Sequence, residues 1–419
     1  MEEIFMEHVV LDPLPAGTAP AREPIQASAG VGSLLYLLNV SNPDRLAADS
    51  GWLFADLLCP ALGRAGVEVT VTGPAAVGDQ RVGHEPLAAA GTKYQARFGF
   101  DVEATTAVLR RVRPEVVVAN QVENAPGVRA ALLAAGSGAL LACYCHYVPF
   151  HPTPDGGWAV DPSLSDGGLG LPVLLAFYAG LLACDRVLVH SPTARTWIEH
   201  GARLLGVELG ERLRVVPPPV DPRLLSAAPT AEQAAAKDAV GLYNHRLYRH
   251  YGTERFVELA ELLGQALPVR LRVADLFGRR SPERTRLDPS PDRYLERLRA
   301  LPHVQVVSDH GRRERYRALL HGSAFALAPF RPAVTWSMSV VDCLSMGVPV
   351  VAPALGWLAE PGVLPPELLF DRPEQAVRIV ERLLEEPVFA ARMAEQAVRS
   401  VRELSPDKVA ARYLAAVTR

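Results

Sequence analysis

Residues 330–360 read FRPAVTWSMSVVDCLSMGVPVVAPALGWLAE. The stretch leaves an apolar strand, passes a loop, forms a short helix over 339–346, turns at Gly347 and enters the buried strand Pro349-Val350-Val351. A loop feeding a helix N-terminus leaves backbone N–H groups beside the positive end of the helix dipole, which suits a phosphate. Trp336, Ser337, Met338 and Ser339 lie on that loop and helix start, with Asp342 on the first turn. Ser339 and Asp342 also have the spacing of a capping box, which needs no ligand.

The same rhythm runs outward in both directions. Upstream, strands are expected over 34–40, 67–71, 114–119, 139–144, 185–189 and 213–216, with helices over 52–63, 105–112, 128–135, 171–183 and 192–200. Pro217-Pro218-Pro219 stops regular structure, and the theme restarts. Strands follow over 239–243, 269–273, 303–307, 324–328 and 349–351, with helices over 253–267, 294–300, 312–321, 374–385 and from 389 to the end. Short apolar runs alternating with helices read as parallel strands covered on both faces. Two such blocks give an α/β chain of two Rossmann-like, doubly wound domains. The expected division is an N-terminal extension over 1–29 with one short strand over 4–11, a first domain over 30–225, a hinge near 218–230, a second domain over 226–400 and a last helix over 401–419. Residues 150–170 read as a long polar loop, a length that usually serves function.

Composition agrees with two domains. At roughly 150 residues per domain, 419 residues suggest two or three. With 49% hydrophobic and 21% charged residues the chain has ample core material. A net charge of −3 argues against a dedicated nucleic-acid binder. Five cysteines without a C-x-x-C point to reduced thiols rather than a disulfide framework or a zinc site. Cys143 and Cys145 share one face of a strand and read as core. The start of the chain lacks the pattern of a signal peptide, and the apolar run over 171–184 is too short to span a bilayer. A cytoplasmic protein without membrane insertion is expected. Its oligomeric state is open, and a homodimer is compatible with it.

The stretch over 330–360 resembles the retaining glycosyltransferases of the GT-B fold, above all family 4. Those enzymes carry an acid, seven residues, a second acid and then G-x-P-V-V, which Gly347-Val348-Pro349-Val350-Val351 matches. By resemblance Asp342 is the second acid, which holds the ribose hydroxyls of the nucleotide. The first acid, which serves the donor sugar, is replaced by Val334. Further along, Ser191 resembles the family's strand-end serine, and Arg214-Val215-Val216-Pro217-Pro218-Pro219-Val220-Asp221 resembles its VIPNGVD segment. His146 falls where the family places a histidine beside the reacting sugar, and Arg246 where it places an arginine on the diphosphate. The family's lysine is replaced by Tyr251, leaving Arg249 or His250 to supply charge. Gly51 matches the glycine loop near the donor phosphates, and Arg312, beside Arg313, the loop that approaches the base. The resemblance spans the chain from Ser33, and it implies that the last helix crosses back to the first domain.

What this implies is a GT-B enzyme, two domains facing a central cleft, that moves a sugar from a nucleoside-diphosphate donor with retention. His146 and Arg246 would be catalytic. The donor is the substrate, UDP- or GDP-linked, and neither metal nor further cofactor is implied. No pair of aspartates stands at i, i+2, and no P-loop, G-x-G-x-x-G or G-x-S-x-G motif is present. The first domain would take a small soluble acceptor, such as an antibiotic or thiol precursor. Two other readings fit the same residues: an epimerase of nucleotide sugars on this fold, and a degenerate transferase acting as a partner protein.

Overall fold

The computed structural model describes residues 30–40, 46, 49–88, 93–153, 155, 157–160, 168–248, 251–274, 289–330 and 334–418. The strand expected over 4–11 and the candidates Arg249 and His250 lie outside them.

The first sheet takes seven parallel strands: β1 (Ser33–Leu37), β2 (Glu68–Gly73), β3 (Val82–Pro86), β4 (Val116–Ala119), β5 (Leu140–Cys145), β8 (Arg186–Val189) and β9 (Leu213–Val215). Their spatial order is β3-β2-β1-β4-β5-β8-β9. The apolar runs form strands because both faces are covered: every residue of β4 and β5 is buried. The second sheet holds β10 (Val240–Tyr243), β11 (Arg270–Ala274), β12 (Val304–Val307), β13 (Phe325–Leu327), β14 (Val350–Pro353) and β15 (Leu369–Phe370), in the order β12-β11-β10-β13-β14-β15. In each sheet the chain first winds one way and then reverses. The reversal falls between β1 and β4 in one sheet and between β10 and β13 in the other. A crevice opens outside the carboxyl ends of the strands at such a switch point, so ligand sites are expected there.

Besides the edge strands β3 and β15, which the sequence reading did not contain, three features depart from its expectation. The segment after β5 is not all loop: Phe150–Pro152 and Trp158–Val160 pair as an antiparallel hairpin, β6 and β7. Phe150 is fully buried and packs on Trp158 at 4.0 Å between ring centroids. The final helical run is broken, with Pro387–Val401 separated from Pro406–Val417 by a turn at Ser405. The last of these helices returns to the first domain, where Val409, Ala410 and Tyr413 join the core beneath the helix Ser50–Arg64. Arg64 and Asp407 close that contact with an ion pair. Third, the helix entered from the 334–337 loop begins at Met338, and Ser337 caps it by accepting the Val340 N–H. Ser339 and Asp342 form no capping box, and Asp342 lies one turn further in. Among the described residues no helix is long and apolar enough to cross a membrane. All five cysteines are buried thiols.

Candidate active site

At the first switch point β1 supplies Tyr36, Asn120 follows β4, and His146 follows β5. Tyr36 donates its hydroxyl hydrogen to Asn120 Oδ1 at 2.7 Å. The same hydroxyl oxygen lies 3.4 Å from His146 Nε2. Phe54 and Tyr144 flank the imidazole at 4.9 and 4.7 Å between ring centroids. Burial, with the neighbouring His190, lowers the His146 pKa to about 3, so the ring is neutral at physiological pH. The ring still reaches solvent, being half-buried.

Gly51 sits beside this group on the first turn of the Ser50–Arg64 helix. A Cβ there would stand 3.0 Å from Asn120 Nδ2, so any other residue would have to push that amide aside by a few tenths of an ångström. Its amide is not offered to a ligand. Asp49 caps the helix and accepts the N–H of Gly51 at 2.9 Å and of Trp52 at 3.0 Å. A carboxylate already occupies the place a phosphate would need.

At the second switch point β10 leads into Asn244, His245 and the half-buried Arg246. Asn244 Nδ2 donates to the Ser339 carbonyl at 3.0 Å and to the Tyr316 hydroxyl at 2.8 Å. Buried beside them, Asn244 Oδ1 and His245 Nδ1 have no hydrogen-bond partner, an unusual expense for native polar atoms. Gly252 follows with φ +73° and caps the Thr253–Ala266 helix. Tyr251 lies between His245 and Phe330 in an aromatic cluster, with ring centroids 6.2 and 6.1 Å away.

Asp342 is buried behind this edge. Burial raises its pKa to about 6, although Arg313 and the Tyr316 hydroxyl pull it down. Arg313 Nη2 stands 3.5 Å from Asp342 Oδ1, and Arg313 Nε 2.7 Å from Asp221 Oδ2. Sequence reasoning chose Arg312, yet Arg312 is exposed and its neighbour turns inward. Val334 is half-buried against the apolar core of the second domain. Trp336 donates its indole N–H to the Met338 sulfur at 3.4 Å and packs against Trp357 with ring centroids 4.5 Å apart and planes tilted by 38°.

His190, which sequence reasoning passed over, joins the halves. It follows β8 and is 2% exposed. Its Nδ1 lies 2.9 Å from the Cys145 carbonyl and its Nε2 2.6 Å from Thr335 Oγ1 in the second domain. A signal was available: Cys145 and Val189 pair in register, so His146 and His190 leave neighbouring strands at one level. Nearby, Glu360 of the second domain accepts the Thr193 N–H at 2.6 Å and the Thr193 hydroxyl. The carboxyl edges of both sheets therefore face one cleft.

No protein-family model matches the chain, and no curated relative is found. Solved structures do resemble it. Sucrose-phosphate synthase from Thermosynechococcus elongatus superposes with a TM-score of 0.67 at 17% identity, over 91% of this chain and 97% of that one. HepE from Anabaena, in complex with UDP-glucose, gives 0.63 at 14%, over 91% and 98%. AviGT4, a glycosyltransferase involved in avilamycin A biosynthesis, gives 0.55 at 20%, over 92% and 96%. The likeness shows the fold. This chain has the GT-B architecture, two Rossmann-like domains across a cleft.

Proposed function

We propose that this protein transfers a sugar from a nucleoside-diphosphate donor to a small-molecule acceptor with retention of anomeric configuration. The observation that carries the reading is the meeting of both carboxyl edges in one cleft, tied by Thr335 and His190. Among neighbours of the same fold, AviGT4 is a glycosyltransferase and HepE is bound to UDP-glucose, so UDP is the first nucleotide to test.

In this reading the nucleotide lies on the second domain. Asp342 accepts the ribose hydroxyls, and Arg246 neutralises the diphosphate beside the unpaired atoms of Asn244 and His245. The loop of Trp336, Ser337, Met338 and Ser339 closes one side, with Arg312 at the outer rim. Arg249 and His250 are candidates for added charge. As the donor bond breaks, negative charge grows on the leaving phosphate, and Arg246 with nearby backbone amides stabilises it. The leaving oxygen takes the acceptor's proton on the same face, so no protein base is needed. His146 lines the sugar from the first domain. Val334 offers only apolar contact, which favours a deoxygenated or otherwise modified sugar.

A thermal-shift panel of UDP, GDP, ADP and dTDP tests the reading. A ligand at 100 times its Kd adds ~2.7 kcal/mol of apparent stability. Asp342→Asn should weaken the preferred nucleotide about tenfold or more, at ~1.4 kcal/mol per decade, and Arg246→Ala should weaken it as well. No response to any of the four would overturn the proposal. Binding followed by release of an isomerised sugar without acceptor would point to an epimerase, and binding without turnover to a partner protein.

A further inference from the structure

His190 is hydrogen-bonded to both domains at once, and the chemistry of its partners fixes how. A carbonyl oxygen only accepts, so Nδ1 carries the hydrogen that goes to Cys145 O. The buried ring is neutral, because burial lowers its pKa to about 4. A neutral ring protonated on Nδ1 presents a lone pair on Nε2, so the Thr335 hydroxyl is the donor across the cleft. One tautomer and one hydroxyl rotamer satisfy the whole chain.

The ends of this chain matter more than its middle. Cys145 immediately precedes His146 on the first domain. Thr335 lies two residues before Ser337, the cap of the Met338–Ser345 helix that carries Asp342. Three groups thus connect the backbone at His146 to the helix of Asp342. A second tie runs alongside, where Glu360 caps the Pro192–Leu204 helix through Thr193. The Trp336 and Trp357 rings, tilted by 38° with centroids 4.5 Å apart, join the two loops of the second domain that carry Thr335 and Glu360.

We infer that His190 is a positioning residue that sets the registry of the two domains, so that the sugar beside His146 meets a donor anchored through Asp342. This rests on the proposed transferase reading. A two-domain site is unusually sensitive here, since a shift of about 1 Å in the relative placement of reacting groups costs on the order of 100-fold in rate.

The test uses the full chain with spin labels on Leu133→Cys and Val388→Cys, one on each domain, 73% and 75% exposed. The native thiols are buried, so labelling goes to the introduced ones. Thr335→Val keeps the side-chain shape and removes the donor. It should broaden the interdomain distance distribution and lower kcat by at least about tenfold, with nucleotide affinity within about twofold. Thr335→Ser restores the hydroxyl and should restore both. His190→Asn retains a donor for Cys145 but is too short for Thr335, and should behave as Thr335→Val does. A wild-type distance distribution in Thr335→Val and His190→Asn overturns the inference, whatever happens to the rate. Failure of Thr335→Ser to rescue also overturns it. Absence of nucleotide-sugar turnover in the wild type counts against the transferase reading alone, because the distances still decide the tie.

Discussion

Arg313 Nε lies 2.7 Å from Asp221 Oδ2, so a helix of the second domain grips the segment that links the two sheets. The same guanidinium reaches Asp342 at 3.5 Å. Asp221 is 1% exposed; burial raises its pKa, but Arg223 and Arg313 outweigh this and hold it below the usual carboxylate range. Arg313→Ala should therefore act at two places. Asp221 keeps only the more exposed Arg223, at a cost of about 2–4 kcal/mol in denaturant unfolding, somewhat under that of an orphaned buried charge. Asp342 loses its main charge partner, so its pKa should climb above about 6. Arg313→Lys should recover part of the stability. Unchanged stability and an unchanged Asp342 titration would show that the shared arginine is not holding either acid.

The pH dependence of stability follows from burial. His190 and His245, each 2% exposed, have pKa values lowered to about 4 and about 3 by desolvation. Unfolded, both return to about 6.5. Below that pH the unfolded chain binds more protons, so their contribution is complete above pH ~6.5 and declines as pH falls toward their folded values. His146, with solvent contact, adds less in the same direction. Asp342 has the opposite sign: its pKa is raised to about 6, so the native state holds a proton between about pH 4 and 6 and gains from acid there. The two fully buried histidines against one carboxyl give a net slope near 1.4 kcal/mol per pH unit around pH 5, which His146 can only steepen. Asp342→Asn removes the opposing group and should steepen it. Urea melts at pH 7.5, 6 and 5 measure this, and flat or rising stability on acidification would contradict it.

Much of this architecture was legible in the sequence because parallel strands buried on both faces appear as short unbroken apolar runs, as in Val116-Val117-Val118-Ala119. The hairpin of β6 and β7 was not legible, since three residues per strand carry no period and its stability comes from Phe150 and Trp158 meeting in space. The helix cap was misplaced by two residues. Ser337 and Ser339 both have capping chemistry, and only tertiary structure reveals that Asp342 is directed to Arg313 and Tyr316 instead. That Arg313 rather than Arg312 meets Asp221 was hidden for a similar reason: neighbours at a helix start point in different directions, and spacing alone does not say which faces the acid. His190 was hidden because a single histidine before a capping serine resembles any strand end until its partner from the other domain is present.

Gly252 is the glycine whose replacement should be most revealing at the second switch point. Its φ is +73°, and a Cβ would stand 1.8 Å from the Pro329 carbonyl oxygen. Backbone strain of about 1–2 kcal/mol adds to a clash that backbone movement must relieve. Gly252→Ala should lose about 2–4 kcal/mol in denaturant unfolding, against a gain expected wherever alanine fits the native backbone. A variant as stable as wild type would mean that the turn between Arg246 and the Thr253–Ala266 helix adopts another course.

Tyr36 decides which nitrogen of His146 carries the hydrogen. Tyr36 has one hydroxyl hydrogen and spends it on Asn120 Oδ1 at 2.7 Å. Its contact with His146 Nε2 at 3.4 Å is therefore favourable only if Nε2 carries the imidazole hydrogen. Because burial and His190 lower the pKa to about 3, there is one hydrogen on the ring, and Nδ1 is left as an acceptor. A substrate hydroxyl can donate to it; a substrate carbonyl or phosphate oxygen cannot. Nitrogen-15 NMR of the wild type should report the Nε2–H form. Tyr36→Phe preserves the ring packed on Phe54 but removes the hydroxyl that selects the tautomer, and it leaves Asn120 Oδ1 without its donor. The loss should be about 1 kcal/mol of stability, the usual net worth of one hydrogen bond. The NMR spectrum should move to a mixture of tautomers, with kcat reduced several-fold and nucleotide affinity retained, since the nucleotide is assigned to the other domain. An Nδ1–H tautomer in the wild type would reverse the assignment of donor and acceptor, and His146 would then have to be read as a group that gives a hydrogen bond to the sugar rather than one that receives it.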